Sequence, residues 1–310
     1  MRLFFLLLSV FFVGLQPIGS AEALTVSPLR LEYEAAPEQM IVDTIKVSNE
    51  TSTGTIVAPV VRDFIASGDG SGTPVFVGEE EQPKSSLKDW VSFSIERVAL
   101  QPGESREVTF TIQVPKGASS GGYFGAILFS TVPASDESVL IQTEVGALVL
   151  ISVPGDAKQE GALIDVQAGQ RLVSHLPVSF TASFENTGEV HLKPSGEVHI
   201  MNLFGREVVS LPINPDGGNV LPGSTRALMV SWQHQEVPSE TIEIVKEWQN
   251  FALGRYTATF AVDDGTGEIE NATVAFWVIP WQLLIVALVV LILLIAIAKQ
   301  HRKNKMIGSV

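Results

Sequence analysis

The sequence predicts an all-β chain, two tandem β-sandwich domains followed by a single transmembrane helix. Three observations carry this. Apolar and polar residues alternate along most of the chain, Gly- and Pro-bearing turns break the alternation at short intervals, and the two ends are apolar without alternating. Period-two alternation gives a strand one buried face. Short strands broken by turns, without helical runs between them, pack as antiparallel sandwiches.

The elements follow in chain order. Arg2 is the one charge before an apolar run from Leu3 to Val13, Pro17 and Gly19 end that run, and Ala21-Glu22-Ala23 has the small-x-small form that signal peptidase accepts. Residues 1–23 therefore read as a cleaved signal peptide. In the first domain, 24–155, Ile41, Ile45 and Val47 alternate, as do Val91, Phe93 and Ile95, and Val108, Phe110, Ile112 and Val114. Ile65 to Pro83, rich in Gly, Ser and acid, reads as a long exposed loop around a short strand at Val75–Val77, and loops of that length inside compact domains are more often functional than accidental. Val145 to Val153 is apolar on both faces, as a central strand is, and Pro154 to Gly161 marks the boundary. In the second domain, 156–277, the inward sets are Val178, Phe180, Ala182, Phe184; Leu228, Val230, Trp232; and Tyr256, Ala258, Phe260, Val262. Turns at Gln101-Pro102-Gly103, Asn186-Thr187-Gly188, Asp216-Gly217-Gly218, Pro222-Gly223 and Asp264-Gly265 punctuate both halves. About seven strands per half suit one immunoglobulin-like sandwich each. Ile242, Val245, Trp248 and Phe251 recur every three residues, which predicts a short amphipathic helix within 239–251 that either lies near a bilayer or covers the end of the sandwich.

Val278 to Ala298 carries no charge, and some 20 such residues in a helix match a hydrocarbon core of roughly 30 Å. Trp277 and Trp281 stand at its outer edge, where amphipathic rings prefer the interface, and Lys299, Arg302, Lys303 and Lys305 follow in the basic tail, 299–310. Positive charge stays on the cytoplasmic side, so the expected topology is a single pass at the cell membrane with Leu24 outside and Val310 inside. The chain has 34 acidic and 20 basic residues; setting aside Glu22, Arg2 and the four tail cations leaves 33 against 15. That balance disfavours nucleic acid and anionic wall or lipid polymers as ligands. There are no cysteines, so an exported chain must rely on its cores, which fits a bacterial envelope. The sequons at Asn49 and Asn271 then read as chance matches.

Val26-Ser27-Pro28-Leu29, Asp43 to Asn49, Trp90-Val91, Leu100-Gln101-Pro102-Gly103-Glu104-Ser105 and Val114 to Gly125 (V-P-K-G-A-S-S-G-G-Y-F-G) occur in that order. Over residues 24–155 this resembles the N-terminal domain of the WxL-interacting proteins, a bacterial surface family. The resemblance implies a peptidoglycan-binding type of domain with an immunoglobulin-like fold. It also implies the layout of leader, this domain, a second such domain, one membrane helix and a basic tail, with binding to cell wall and to partner surface proteins.

Catalytic patterns do not survive their context. Gly117-Ala118-Ser119-Ser120-Gly121 spells G-x-S-x-G but lies between strands, whereas a nucleophile elbow joins a strand to a helix. His175, His191, His199 and His234 show no metal-ligand spacing. Asp263 to Glu268 lacks the twelve-residue frame of a calcium loop and suits a hairpin turn. No enzyme, cofactor or metal is expected. The candidate binding residues are Trp90, which by alternation faces away from Val91 unless it tucks under a loop; Tyr123 and Phe124, one on each side of their strand; and Asp63, which could pair with Asp69. The expected function is a non-enzymatic, membrane-anchored envelope protein whose N-terminal sandwich docks to cell wall polymer or a surface protein. The alternative is a chaperone-like module that holds a partner by β-strand addition. With no stalk before the helix, the second domain should sit at the membrane and the first should reach about 60–80 Å outward. The Ile65–Pro83 loop and Trp90 would then be the docking features.

Overall fold

Residues 23–78, 81, 83–132 and 143–307 are described by a computed structural model, with side chains to residue 301. Residues 1–22, over which the expected signal peptide runs, with Glu79, Glu80, Gln82, 133–142 and 308–310, lie outside the described set.

The first domain holds β1 (Leu24–Ser27), β2 (Arg30–Glu34), β3 (Met40–Asn49), β4 (Thr55–Ala66), β5 (Pro74–Phe76), a 3₁₀ turn (Lys88–Trp90), β6 (Val91–Phe93), β7 (Val98–Leu100), β8 (Ser105–Gln113), β9 (Gly121–Thr131) and β10 (Glu144–Val153). They form two facing sheets, β1-β3-β8-β6 and β2-β10-β9-β4-β5, with β7 also on β4. The alternating residues lie where the period put them: Ile45, Val47, Val108, Phe110 and Ile112 from one sheet meet Val57, Ile127, Phe129, Val149 and Ile151 from the other, all buried. Burying one large apolar side chain contributes roughly 1.5–3 kcal/mol, so two such layers stabilise a domain without disulfides.

The second domain repeats the wiring with β11 (Gly161–Ala168), β12 (Leu172–Val173), β13 (Val178–Asn186), β14 (Ser195–Asn202), β15 (Glu207–Ile213), β16 (Ser224–Trp232), β17 (Gly254–Asp263) and β18 (Ile269–Val278). Its sheets are β11-β13-β16 and β12-β18-β17-β14-β15. In each domain the chain starts in one sheet (β1, β11) and then crosses to lie parallel to the domain's last strand: β2 on β10, β12 on β18. Its core is aromatic, with Trp232, Tyr256, Phe180 and Phe276 meeting at ring separations of 5.0 to 6.1 Å. Two tandem immunoglobulin-like sandwiches are the result.

Two helices complete the chain. Helix α1 (Glu243–Gln249) is shorter than the expected span, and only Ile279 and Pro280 separate β18 from α2 (Trp281–Ile307). The stretch Trp281–His301 has a mean hydropathy of 3.0 and no residue buried against the rest of the protein. Its length and composition are those of a membrane-crossing helix.

Candidate functional site

β4 runs the length of the first sandwich and delivers Asp63 and Phe64 to the end that faces the second domain. Asp63 is only 4% exposed. Its carboxylate accepts hydrogen bonds from the N–H groups of Leu87 (2.8 Å) and Lys88 (3.0 Å) and from the Ser86 hydroxyl. It therefore fixes the 3₁₀ turn before β6 and is no free acid for a ligand. That turn places Trp90 as well. Trp90 ends the turn rather than alternating on a strand, and its ring lies 4.2 Å from that of Tyr123 while packing against the core. The rest of the expected alternation also shifts, because β6 stops at Phe93 and leaves Ile95 exposed.

The pair Tyr123–Phe124 divides as expected, one ring to each side, but neither is freely available. The Tyr123 hydroxyl donates to the Ser119 carbonyl (3.1 Å). Phe124, 3% exposed, packs with Phe64, Leu150 and Leu221. Leu221 belongs to the second domain, so this small apolar cluster joins the two sandwiches. Phe124 is corrected from a surface candidate to part of the junction, since it faces the neighbouring domain and not solvent.

Polar contacts surround the cluster. The Gly122 N–H donates to the Glu189 carbonyl (2.8 Å). Glu32 accepts from Lys193 Nζ (2.7 Å) and Asn219 Nδ2 (2.8 Å) across the junction, and Arg30 Nε lies 2.8 Å from the same carboxylate. Burial pushes the Glu32 carboxyl up, but the hydrogen bonds from Lys193 and Asn219 and the charges of Lys193 and Arg30 outweigh it and hold the group below its usual value. His191 lies edge-on to Phe124 (5.9 Å), and burial lowers its pKa. The loop expected to reach outward instead turns to the second domain. The Gly70 carbonyl accepts from the Ala227 N–H (2.8 Å), and the Arg226 guanidinium lies against Gly72. It follows a strand that runs toward the junction, so its tip cannot be distal.

Between these contacts a cleft of about 630 Å³ remains, lined by Phe64, Lys84, Ser120, Gly122, Tyr123 and Leu221 among others. Glycine keeps its wall thin: Gly121 has φ +141°, and a Cβ on Gly122 would stand 2.5 Å from the Phe124 ring. Of the four expected binding residues Tyr123 and Phe124 line it, Phe124 from its buried place in the junction, while Trp90 and Asp63 do not. Lys84, Ser85, Glu189 and Leu221 were not singled out by sequence, and no local pattern marks them, because loops far apart in the chain bring them together.

Gly117 to Ser120 leads into β9, which begins at Gly121, so a strand and not a helix follows the G-x-S-x-G stretch. Asp263 accepts from the Gly265 N–H (2.8 Å) and Asp264 from the Thr266 N–H (2.7 Å), as carboxylates in a hairpin turn do. Among the described residues no group of three or more His, Asp or Glu could hold a metal ion. At the far end, Trp277 and Trp281 are exposed on either side of the β18–α2 joint and Lys299 closes the apolar stretch, while Arg302 and Lys303 continue the helix with side chains outside the described set.

No family model and no curated protein matches this chain. Among solved structures it is similar to the class 5 fimbriae chaperone CfaA, at 9% identity and a TM-score of 0.37, covering 82% of this chain and 99% of that one. It is also similar to the Pseudomonas aeruginosa CupB2 chaperone (12%, TM-score 0.35, 81% and 99%) and to Salmonella enterica SafA pilin in complex with the SafB chaperone (9%, TM-score 0.36, 84% and 98%).

Proposed function

We propose that this chain is a non-enzymatic protein of the bacterial cell envelope, anchored by α2, that holds a surface partner protein in the cleft between its two sandwiches. The cleft carries the reading. A groove of about 630 Å³ with an apolar floor of Phe64 and Leu221, a tyrosine on its wall and hydroxyl and lysine groups on its rim can take side chains of a partner segment. A protein partner suits the charge better than anionic wall polymer, because the acidic ectodomain repels the latter. In this reading the leader is removed, Leu24 and both sandwiches lie outside and the basic tail lies inside, the layout of the family the first domain resembles. The alternative, a chaperone-like module that holds a partner by strand addition, would use an open sheet edge such as that of β15 rather than the cleft.

The test is site-specific photo-cross-linking in intact cells. A benzophenone side chain at Lys84 or Ser120 should give a discrete adduct with an exported protein. The same group at Met229, exposed on the outer face of β16, should give none. Adducts to glycan strands instead of protein, or equal adducts from all three positions, would reject the reading.

A further inference from the structure

Helix α1 buries a charge and leaves an aromatic ring outside, with Ile244 and Val245 only partly buried. An amphipathic helix on a soluble domain turns its apolar stripe to the core. Here the one buried residue of α1 is Glu247, while Trp248 is 72% exposed and Ile242, at the start of the helix, is 66% exposed. The arrangement has a visible cause. The Glu247 carboxylate accepts from the N–H of Leu283 (2.9 Å) and lies 3.4 Å from that of Gln282. The first N–H groups of a helix have no partner within it, and a carboxylate there also meets the positive end of the helix dipole. The charge on α1 is thus spent as the cap of α2, and the cap fixes which way α1 faces.

The exposed stripe does not stand alone. Phe251 and Leu253 continue it into the turn before β17, and both are about half exposed. Leu172 lies abreast of Trp277 in the sheet, and Arg255 lies abreast of Trp277 on the other side, all three exposed. Ile279 and Trp281 then lead into α2. Single exposed apolar residues are ordinary, but a contiguous set of them is a surface that meets something. This set surrounds the point where the membrane helix leaves the domain. Tryptophan rings, with Arg255 and Arg171 beside them, match the amphipathic layer between headgroups and acyl chains.

We propose that α1, the following turn and the β12–β18 edge form a platform seated in the outer leaflet of the same bilayer that α2 crosses. The occupant is lipid, because the surface is continuous with the membrane helix. The inference rests on the anchor reading of α2 and adds that the second domain is held upright on the membrane, at two places instead of one.

The absence of cysteine allows a direct test on the full chain. Trp248→Cys, Phe251→Cys, Leu288→Cys and Met229→Cys are each labelled with a nitroxide and reconstituted into phosphatidylcholine vesicles, and collision with oxygen and with a water-soluble nickel chelate is measured. Leu288 should be protected from nickel and open to oxygen, Met229 the reverse, and Trp248 and Phe251 should group with Leu288. If Leu288 is protected while Trp248 and Phe251 are as open to nickel as Met229, the platform is wrong and the anchor stands. If Leu288 is itself open to nickel, the anchor reading fails and the platform with it. Protection of Trp248 and Phe251 that persists in detergent but rises with protein concentration would assign the surface to a second copy instead. As a second measurement, brominated acyl chains should quench less of the total tryptophan fluorescence in Trp248→Phe than in the parent; equal quenching would overturn the platform.

Discussion

Asn49 and Asn186 do the same work at matching places in the two domains. Each ends the third strand of its domain, each is 0% exposed, and each spans a turn. Asn49 Nδ2 donates to the carbonyls of Thr53, Leu100 and Gln101, and its Oδ1 accepts from the N–H of Thr51. Asn186 Nδ2 donates to the carbonyls of Val190 and Val220, and its Oδ1 accepts from the N–H of Gly188. The turn clasped is Pro-Gly in both cases, with the N–H of Gly103 and Gly223 returning to the asparagine carbonyl. The Asn49 side chain, with its amide fully engaged, has no room for a glycan, in keeping with the sequon as a chance match. Replacing either residue with Ala leaves buried carbonyls unpaired, at about 1–3 kcal/mol for such a group. Asn49→Ala should therefore lower the urea midpoint of the first domain, reported by Trp90, and leave that of the second, reported by Trp232. Asn186→Ala should do the converse. Shifts below about 0.5 kcal/mol in both variants would mean that these asparagines are surface-like in their effect. The paired signal, Asn followed later by Pro-Gly, is visible in the sequence, but only knowledge of the fold identifies the two copies as equivalent.

At the scale of elements, what the sequence makes legible is what the local period controls. Strands β8, β13, β16 and β17 bury the residues their alternation selects, because one sheet face meets the core and the other meets water. Trp90 departs from this rule since a buried carboxylate, Asp63, twenty-seven positions earlier, winds the chain into a turn there. Helix α1 departs from it since a cap made by Glu247 outweighs the usual preference for burying the apolar stripe. The loop after β4 is the third departure, and its docking suggests its role. Gly70 occupies the edge of β16, an exposed ladder that would otherwise offer free N–H and carbonyl groups. Replacing residues 67–73 with a Gly-Ser bridge should leave both domains folded and widen the distribution of distances between nitroxides at Val75→Cys and Val208→Cys. An unchanged distribution would show that the loop does not brace the domains. Glu247→Ala should raise the mobility of a nitroxide at Trp248→Cys without unfolding the sandwich. A spectrum as immobile as that of the parent would deny the cap its part in fixing α1.

The whole molecule is two independently patterned cores joined by a junction that no local pattern announces. Glu32 meets Lys193 across 161 residues and Asn219 across 187, so only the finished fold brings the groups together. The apolar part of the junction is small, Phe64, Phe124, Leu150 and Leu221, which leaves the polar part a large share of the hold. Both titrating groups respond to acid in the same direction. Glu32 has its pKa lowered in the fold, so its contribution is present above the usual carboxylate value and is lost as pH falls through the lower, folded one. His191 also has its pKa lowered from 6.5, by burial first, with Lys193 and Arg30 adding to the effect and Glu32 opposing it. Its Nδ1 has no hydrogen-bond partner. The folded state resists the proton that the free side chain takes up below 6.5, and the junction weakens as pH falls below that value. The two domain cores contain few such groups, so acid should separate the sandwiches before it unfolds them. The Val75–Val208 nitroxide distances should be narrow at neutral pH and broaden progressively down to about pH 4, with the far-ultraviolet signal of the strands retained. His191→Phe, which keeps a ring against Phe124 but cannot take a proton, should delay the broadening to lower pH. Glu32→Gln, which removes the charge that Lys193 and Arg30 face, should broaden the distances already at neutral pH. Distances that stay narrow to about pH 4 in the parent, or the same acid response in all three proteins, would show that these two groups do not hold the domains together.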